Sequence, residues 1–270
     1  MAVVNFIQTI WSKKIQDALE LKCYLVNNCL REYEGDCKYA STVKILGVGE
    51  PTIKPYDKNV GIEPEAMSDE GQELHIDQAN AFAFLVDDID KAQSVPGLDT
   101  EYQRKAVHGL AVARDTYVAN LIKGAANYVT AEDNTREHIK KAIDKAIVKL
   151  RKRNFDEEGV IELSPAAYNE FKNELITLST DNPDYIKRGI VGMYDKFEVA
   201  MHNNMSTDAQ YEYCDVRGKK AIAFAGQINE VEAFRHHTKF ADVVRGLDTF
   251  GAKVIDEKRI EGIRIPVAEI

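Results

Sequence analysis

The chain has 270 residues, 44% hydrophobic and 29% charged, which suits one large or two small folded units and is ordinary for a globular protein. Its 44 acidic residues outnumber 35 basic ones for a formal net charge of −9, which argues against a nucleic-acid binder that works by neutralising phosphates. No apolar run approaches the roughly 18 residues of a membrane span, and the N-terminus MAVVNFIQTIWSKKIQ, interrupted by Lys13 and Lys14, does not read as a signal peptide.

Residues 5–22 set Phe6, Ile7, Ile10, Trp11, Ile15, Ala18 and Leu19 at near-helical spacing and predict an amphipathic helix. YEGD at 33–36 reads as a turn and TVKILGV at 42–48 as a strand. The next tract, 49–72, is aperiodic and carries Pro51, Pro55 and Pro64; loops of that size are uncommon unless functional or disordered. From 73 to 86, Leu74, Ile76, Phe82, Phe84 and Val86 fall on alternate positions and predict one strand, about 45 Å long at roughly 3.3 Å per residue. Paired with 42–48, it makes a long ribbon with a large tip. A ribbon alone in water is marginal and its edges invite pairing. Its apolar face needs cover, either from the body of the same chain or from another copy.

Residues 102–128 predict a long alanine-rich helix with Ala106, Leu110, Ala113, Tyr117, Leu121 and Ala125 as its apolar stripe. A second helix spans 135–150, where Ile139, Ala142, Ile143, Ala146, Ile147 and Leu150 follow the i, i+3, i+4 pattern. After the charged connector RKRNFDEEG, VIELSPAAYNEF passes from strand to helix, with Ser164 as N-cap and Pro165 at the first helical position. Beyond Asn182-Pro183, short strands alternate with glycines: FEVAM, KKAIAFAG, FADVVRGL and FGAKVI. The fold class is α+β.

The motifs that could carry chemistry read as structure. Asp87, Asp88 and Asp90 could hold a hard cation, but acids at a strand end also cap the helix that follows. The rings of adjacent His236 and His237 point apart on either a helix or a strand, and no H-E-x-x-H accompanies them. GVGEPT at 47–52 lacks the third glycine and the helix of a dinucleotide site. The basic trio Arg151–Arg153 is followed by Asp156–Glu158 and reads as a solvated surface. Cys23, Cys29, Cys37 and Cys214 form no C-x-x-C pair and read as free thiols in a reducing compartment. No catalytic, cofactor-binding or metal-ligating residue is nominated, and neither enzyme activity nor a cofactor is expected.

The order of segments resembles a family. An N-terminal arm leads to YEGDCKYASTVKI, the ribbon with its long tip and HIDQANAFAFLVDDIDKAQS; then follow the alanine-rich helix, VIELSPAAYNEF, GIVGMYDKFEVAMHNNM and RGLDTFGAKVIDEKRI. This is similar to the major capsid protein of tailed bacteriophages, the Hong Kong phage capsid fold. The resemblance implies an N-arm at 1–39 and an extended loop at 40–90 lying across a neighbouring subunit, which would cover the ribbon. It implies a peripheral domain with a spine helix at 91–130, an axial domain at 131–226, and a return to the peripheral sheet at 227–270.

As a function, the resemblance implies a structural protein that self-assembles into pentamers and hexamers of an icosahedral head enclosing double-stranded DNA without binding it tightly. The alternative is an encapsulin-like bacterial nanocompartment shell. The head would form in the bacterial host cytoplasm and persist in the virion, with a portal and possible decoration proteins as partners and no membrane. No long extension precedes the arm, so scaffolding is expected from a separate protein. Some relatives crosslink a loop lysine to an asparagine next door. Lys54 and Lys58 lie in the right segment, but the C-terminal peripheral segment offers only Asn229, so no crosslink is expected.

Overall fold

The computed structural model describes residues 19, 23–34, 42–45, 53, 71–87, 98–125, 127–178 and 192–267. The predicted helix at 5–22, apart from buried Leu19, the ribbon tip, the GVGEPT turn, Asp88, Asp90, Lys54, Lys58 and Cys37 lie outside the described residues.

Three long α-helices and three sheets frame the described chain. Helix α1 (Leu98–Lys123) packs on a three-stranded antiparallel sheet of order β3 (Gln78–Asp87), β10 (Ala241–Val254), β9 (Ile222–Arg235). Helices α2 (Arg136–Lys152) and α3 (Pro165–Leu178) cover one face of a six-stranded sheet. Its order is β4 (Tyr128–Thr130), β11 (Ile260–Pro266), β8 (Tyr211–Gly218), β5 (Gly159–Leu163), β7 (Phe197–Met201), β6 (Met193–Tyr194). A short ribbon pairs β1 (Thr42–Ile45) with β2 (Gln72–His75), and its Val43, Ile45 and Leu74 pack on Ala223 and Ala225 of β9.

Local spacing decides α2 and α3. All six predicted apolar residues of α2 are buried, and Ser164 caps α3 by accepting the Ala167 N–H at 3.2 Å. Helix α1 starts four residues earlier than the alanine pattern suggests and ends at Lys123. There Gly124 N–H closes the last turn onto Asn120 and Leu121, and the Tyr128 hydroxyl donates to the carbonyls of Ile122 and Lys123. Its buried face is turned about one position from the predicted stripe. Val107, Leu110, Ala111, Val118, Ala119 and Ile122 face inward together with Arg114 and Asp115, two charges outside the predicted apolar stripe. Both charges are matched inside. Arg114 pairs with buried Asp248 through Nε at 2.9 Å and through Nη2, and Asp115 accepts the Tyr24 and Val26 N–H groups at 3.1 and 3.3 Å.

The strand expected at 73–86 is two strands in two sheets. β2 pairs with β1, the chain crosses at Ile76-Asp77, and β3 then pairs with β10 from Gln78 opposite Phe250 to Asp87 opposite Ala241. The crossing is set by Gly251, where an added Cβ would lie 2.0 Å from the His75 carbonyl oxygen. Phe82 and Phe84 of β3 are covered by their own chain, packing against the core beneath α1. This corrects the expectation that another copy supports them. Gly251→Ala is expected to lift the His75 backbone off β10 and to cost about 1–3 kcal/mol. Thermal unfolding of the variant reads the cost, and an unchanged midpoint would refute the close crossing.

FADVVRGL and FGAKVI, expected as separate strands, are one continuous strand, β10. Its glycines mark close approaches rather than breaks: the Phe82 ring fills the space of a Gly246 side chain, and the His75 backbone fills that of Gly251. The expected boundary at 226 falls inside β9. β11, expected in the peripheral return, lies between β4 and β8 in the six-stranded sheet, so the C-terminal segment serves both sheets.

Candidate assembly surfaces and the buried junction

The three-stranded sheet has two unlike faces. Gln78, Asn80, Phe82, Phe84, Val244, Gly246, Asp248 and Phe250 turn toward α1. The other face carries Ala79, Ala81, Ala83 and exposed Leu85 on β3, Arg245 and Leu247 on β10, and Glu232 and Phe234 on β9. Arg245 bonds Glu232 at 2.6 Å and lies 5.1 Å over the Phe234 ring. Residues 236–240 form the turn that joins β9 to β10 beside the end of β3, a tip where Phe240 is 80% exposed.

His236 and His237 lie in that tip, in neither helix nor strand, and their rings stack at 4.9 Å with planes 6° apart. The expectation that they diverge is therefore corrected. The Nδ1 of His236 accepts the Thr238 and Lys239 N–H groups, folding its ring back into the turn. Among the described residues no group of three or more His, Cys, Asp or Glu could hold a metal ion. Asn229 is the extra residue of a bulge, between Glu230 opposite Leu247 and Ile228 opposite Asp248.

The basic positions of α2 are largely neutralised by neighbours. Lys140 pairs with Asp144 at 2.9 Å, Lys141 with Glu137 at 2.7 Å and Arg151 with Asp195 at 2.8 Å. Buried Glu261 takes both Lys149 at 2.6 Å and Arg153 at 2.7 Å. Of the predicted solvated trio, Arg151 is thus tied to the turn between β6 and β7 and Arg153 to Glu261 of β11.

Between the two main cores lies a polar junction that the motif survey missed. Cys214 and Val216 of β8 face α2 and α3, so Asp215 and Arg217 face the opposite way, toward the N-terminal segment and α1. Glu162 of β5 shares that face. All three side chains are fully buried. Arg217 Nη2 donates to both Glu162 oxygens at 2.9 and 2.8 Å and reaches the Leu25 carbonyl, and Nη1 reaches the Asn28 carbonyl. Burial works against the Glu162 carboxylate, but the Arg217 charge, His202 and Asn28 hold its pKa down to about 2. Asp215 moves the other way, raised well above the ordinary value by burial and by the Glu162 charge. Burial also pushes the thiols of Cys23, Cys29 and Cys214 up to about 12, so these three are inert, free thiols. The signal in the sequence was charge inside an apolar strand, one in VIEL and two at alternate positions in CDVR. Periodicity alone cannot tell such a residue from a solvated one.

No family model and no curated protein matches the sequence. Solved structures do. A chain from Mycobacterium phage Che8 superposes with a TM-score of 0.75 at 26% identity, covering 89% of this chain and 90% of that one. The capsid of the cyanophage P-SCSP1u gives 0.69 at 13% identity, over 89% and 86% of the two chains. The chain has the phage major capsid fold. A virus-like particle from Pyrococcus furiosus is similar over 95% of this chain and 99% of that one, with a TM-score of 0.60 at 8% identity. The resemblance drawn from the order of segments is borne out at the level of the fold. In this capsid fold the 236–240 tip and the open sheet face are surfaces that the described chain leaves uncovered.

Proposed function

We propose that this chain is a phage major capsid protein whose copies self-assemble into the pentamers and hexamers of an icosahedral head. The observation that carries the reading is the near full-length likeness, at 26% identity, to the Mycobacterium phage Che8 chain. It is a structural role rather than an enzymatic one, exercised in the virion. Assembly in the host cytoplasm, on a separate scaffolding protein and around a portal, belongs to the same proposal. So does the division into an arm at 1–39, an extended loop at 40–90 and peripheral and axial domains, with β3 of the loop held by its own chain.

The head would enclose double-stranded DNA without gripping it. The net charge of −9 supports this, as do the ion pairs that absorb most of the basic positions of α2. An adhesive lining would release counterions at each phosphate contact. In a gel-shift titration with duplex DNA, free subunits are expected to bind weakly at low and moderate salt; sub-micromolar binding with a steep salt slope would refute it.

Electron microscopy and sedimentation of the purified full chain, with its scaffolding partner supplied, test the assembly itself. Closed shells or ring-shaped capsomers are expected. A monomer at every concentration would overturn the proposal. Small shells holding a protein cargo instead of DNA would favour the second reading, an encapsulin-like compartment, which the likeness to the Pyrococcus furiosus particle supports.

A further inference from the structure

Arg217 has five N–H donors, and all are committed. Nε and Nη2 serve Glu162, Nη2 also reaches the Leu25 carbonyl at 3.4 Å, and Nη1 reaches the Asn28 carbonyl at 2.8 Å and Cys29 Sγ at 3.7 Å. Asp215 Oδ2 lies 3.0 Å from Arg217 Nε, yet neither oxygen of this fully buried carboxyl has a hydrogen-bond partner among the described residues. The groups facing it from every packed element are few. They are Glu162 from β5, Arg217 from β8, the neutral Cys29 thiol and Asn28 from the N-terminal segment, His202 after β7, and Asp115 from α1. Asp115 is occupied by the Tyr24 and Val26 N–H groups, and His202 Nε2 sits 3.6 Å from Glu162. One guanidinium stands against two carboxyls, so full ionisation would bury an unmatched negative charge. A buried acid escapes that cost by keeping its proton.

We propose that Asp215 is held as a neutral carboxylic acid on the same buried face as the Glu162 carboxylate, and that its ionisation loosens the N-terminal segment 23–30. The link is Arg217. The guanidinium that holds Glu162 also holds the Leu25 and Asn28 carbonyls, and Asn28 Nδ2 donates to Glu162 at 2.8 Å. An ionised Asp215 repels Glu162 and draws the Arg217 donors away from those carbonyls. The sign follows from the raised pKa of the docked state. Docking is firmest below the ordinary carboxylate value and weakens as pH rises toward the raised one. Within that window, which opens near pH 4, undocking releases one proton. Each pH unit then raises the undocked-to-docked ratio roughly tenfold, and the ratio levels off above the raised value.

Hydrogen exchange of amides 23–30 in the full chain from pH 5 to 9, with intrinsic exchange divided out, reads that ratio. A slope approaching tenfold per pH unit is expected over part of the range, flattened in Asp215→Asn and kept in His202→Gln. A flat wild-type profile, a slope that survives D215N, or a slope removed by H202Q overturns the proposal. If D215N does not fold, the infrared spectrum of the wild type decides. A carbonyl band from a protonated, slowly exchanging carboxyl at neutral pH supports it, and absence of that band overturns it.

Discussion

Replacing Arg217 by methionine is expected to leave the chain barely able to fold. Methionine fills similar space, so the effect isolates the charge and its hydrogen bonds. Glu162 would stand at zero exposure with the guanidinium gone, either as an unmatched charge or at the cost of taking up a proton, and the Leu25 and Asn28 carbonyls would lose their donor. Breaking a buried pair by removing one member costs about 3–5 kcal/mol, against a total stability of about 5–15 kcal/mol. In a chain of this size that lowers the melting midpoint by roughly 10 °C or more. Arg217→Lys keeps the charge but cannot serve two carboxylate oxygens and two carbonyls from one planar fork, so it is expected to fall between parent and methionine. The double variant Glu162→Gln with R217M should recover part of the loss, because it removes the stranded charge. A methionine variant melting within 2 °C or so of the parent would show that the junction contributes nothing to stability.

The second large effect is on assembly. Ile45 pairs with Gln72 and Thr42 with His75, so the chain leaves β1 and re-enters β2 at adjacent strand ends. A two-residue Asn-Gly turn can therefore replace residues 46–71 without moving either strand. Val43, Ile45 and Leu74 would still pack on Ala223 and Ala225. Such a variant is expected to unfold within about 2 °C of the parent, since it loses none of the described core, yet to form no shells in sedimentation or electron micrographs. Normal shells from the shortened chain would remove the loop from the assembly reading. An unfolded subunit would mean that the loop belongs to its own body.

The likeness to capsid structures gives both results a frame. A shell subunit must fold by itself and still leave edges and faces for its neighbours, and the described chain divides along that line. Its charges are spent inside: Arg114 on Asp248, Arg217 on Glu162, Lys149 and Arg153 on Glu261. Its open surfaces are the alanine-lined sheet face with Leu85, Leu247 and Phe234, and the tip with Phe240.

Local chemistry was enough to read the α+β class, α2, the Ser164 cap and the β5-to-α3 passage. Each rests on contacts between residues a few positions apart, and those distances are set by the chain itself. The order of segments was enough to point to the capsid fold. Partner choice between strands was not legible. Gly246 and Gly251 look like breaks until Phe82 and the His75 backbone occupy the space their missing side chains leave. Nor did alternation along 73–86 show that the chain changes sheets at Ile76-Asp77, because both halves keep the same period while pairing with different strands. Arg114, Asp115, Glu162, Asp215 and Arg217 look solvated in the sequence, since a charge is tolerable inside only when its counterpart is there. Those counterparts lie as far as 134 positions away for Arg114 with Asp248, and 55 for Arg217 with Glu162. Spacing settles contacts within a turn or a strand; which charges and strands meet across the molecule is decided only when the sheets close around them.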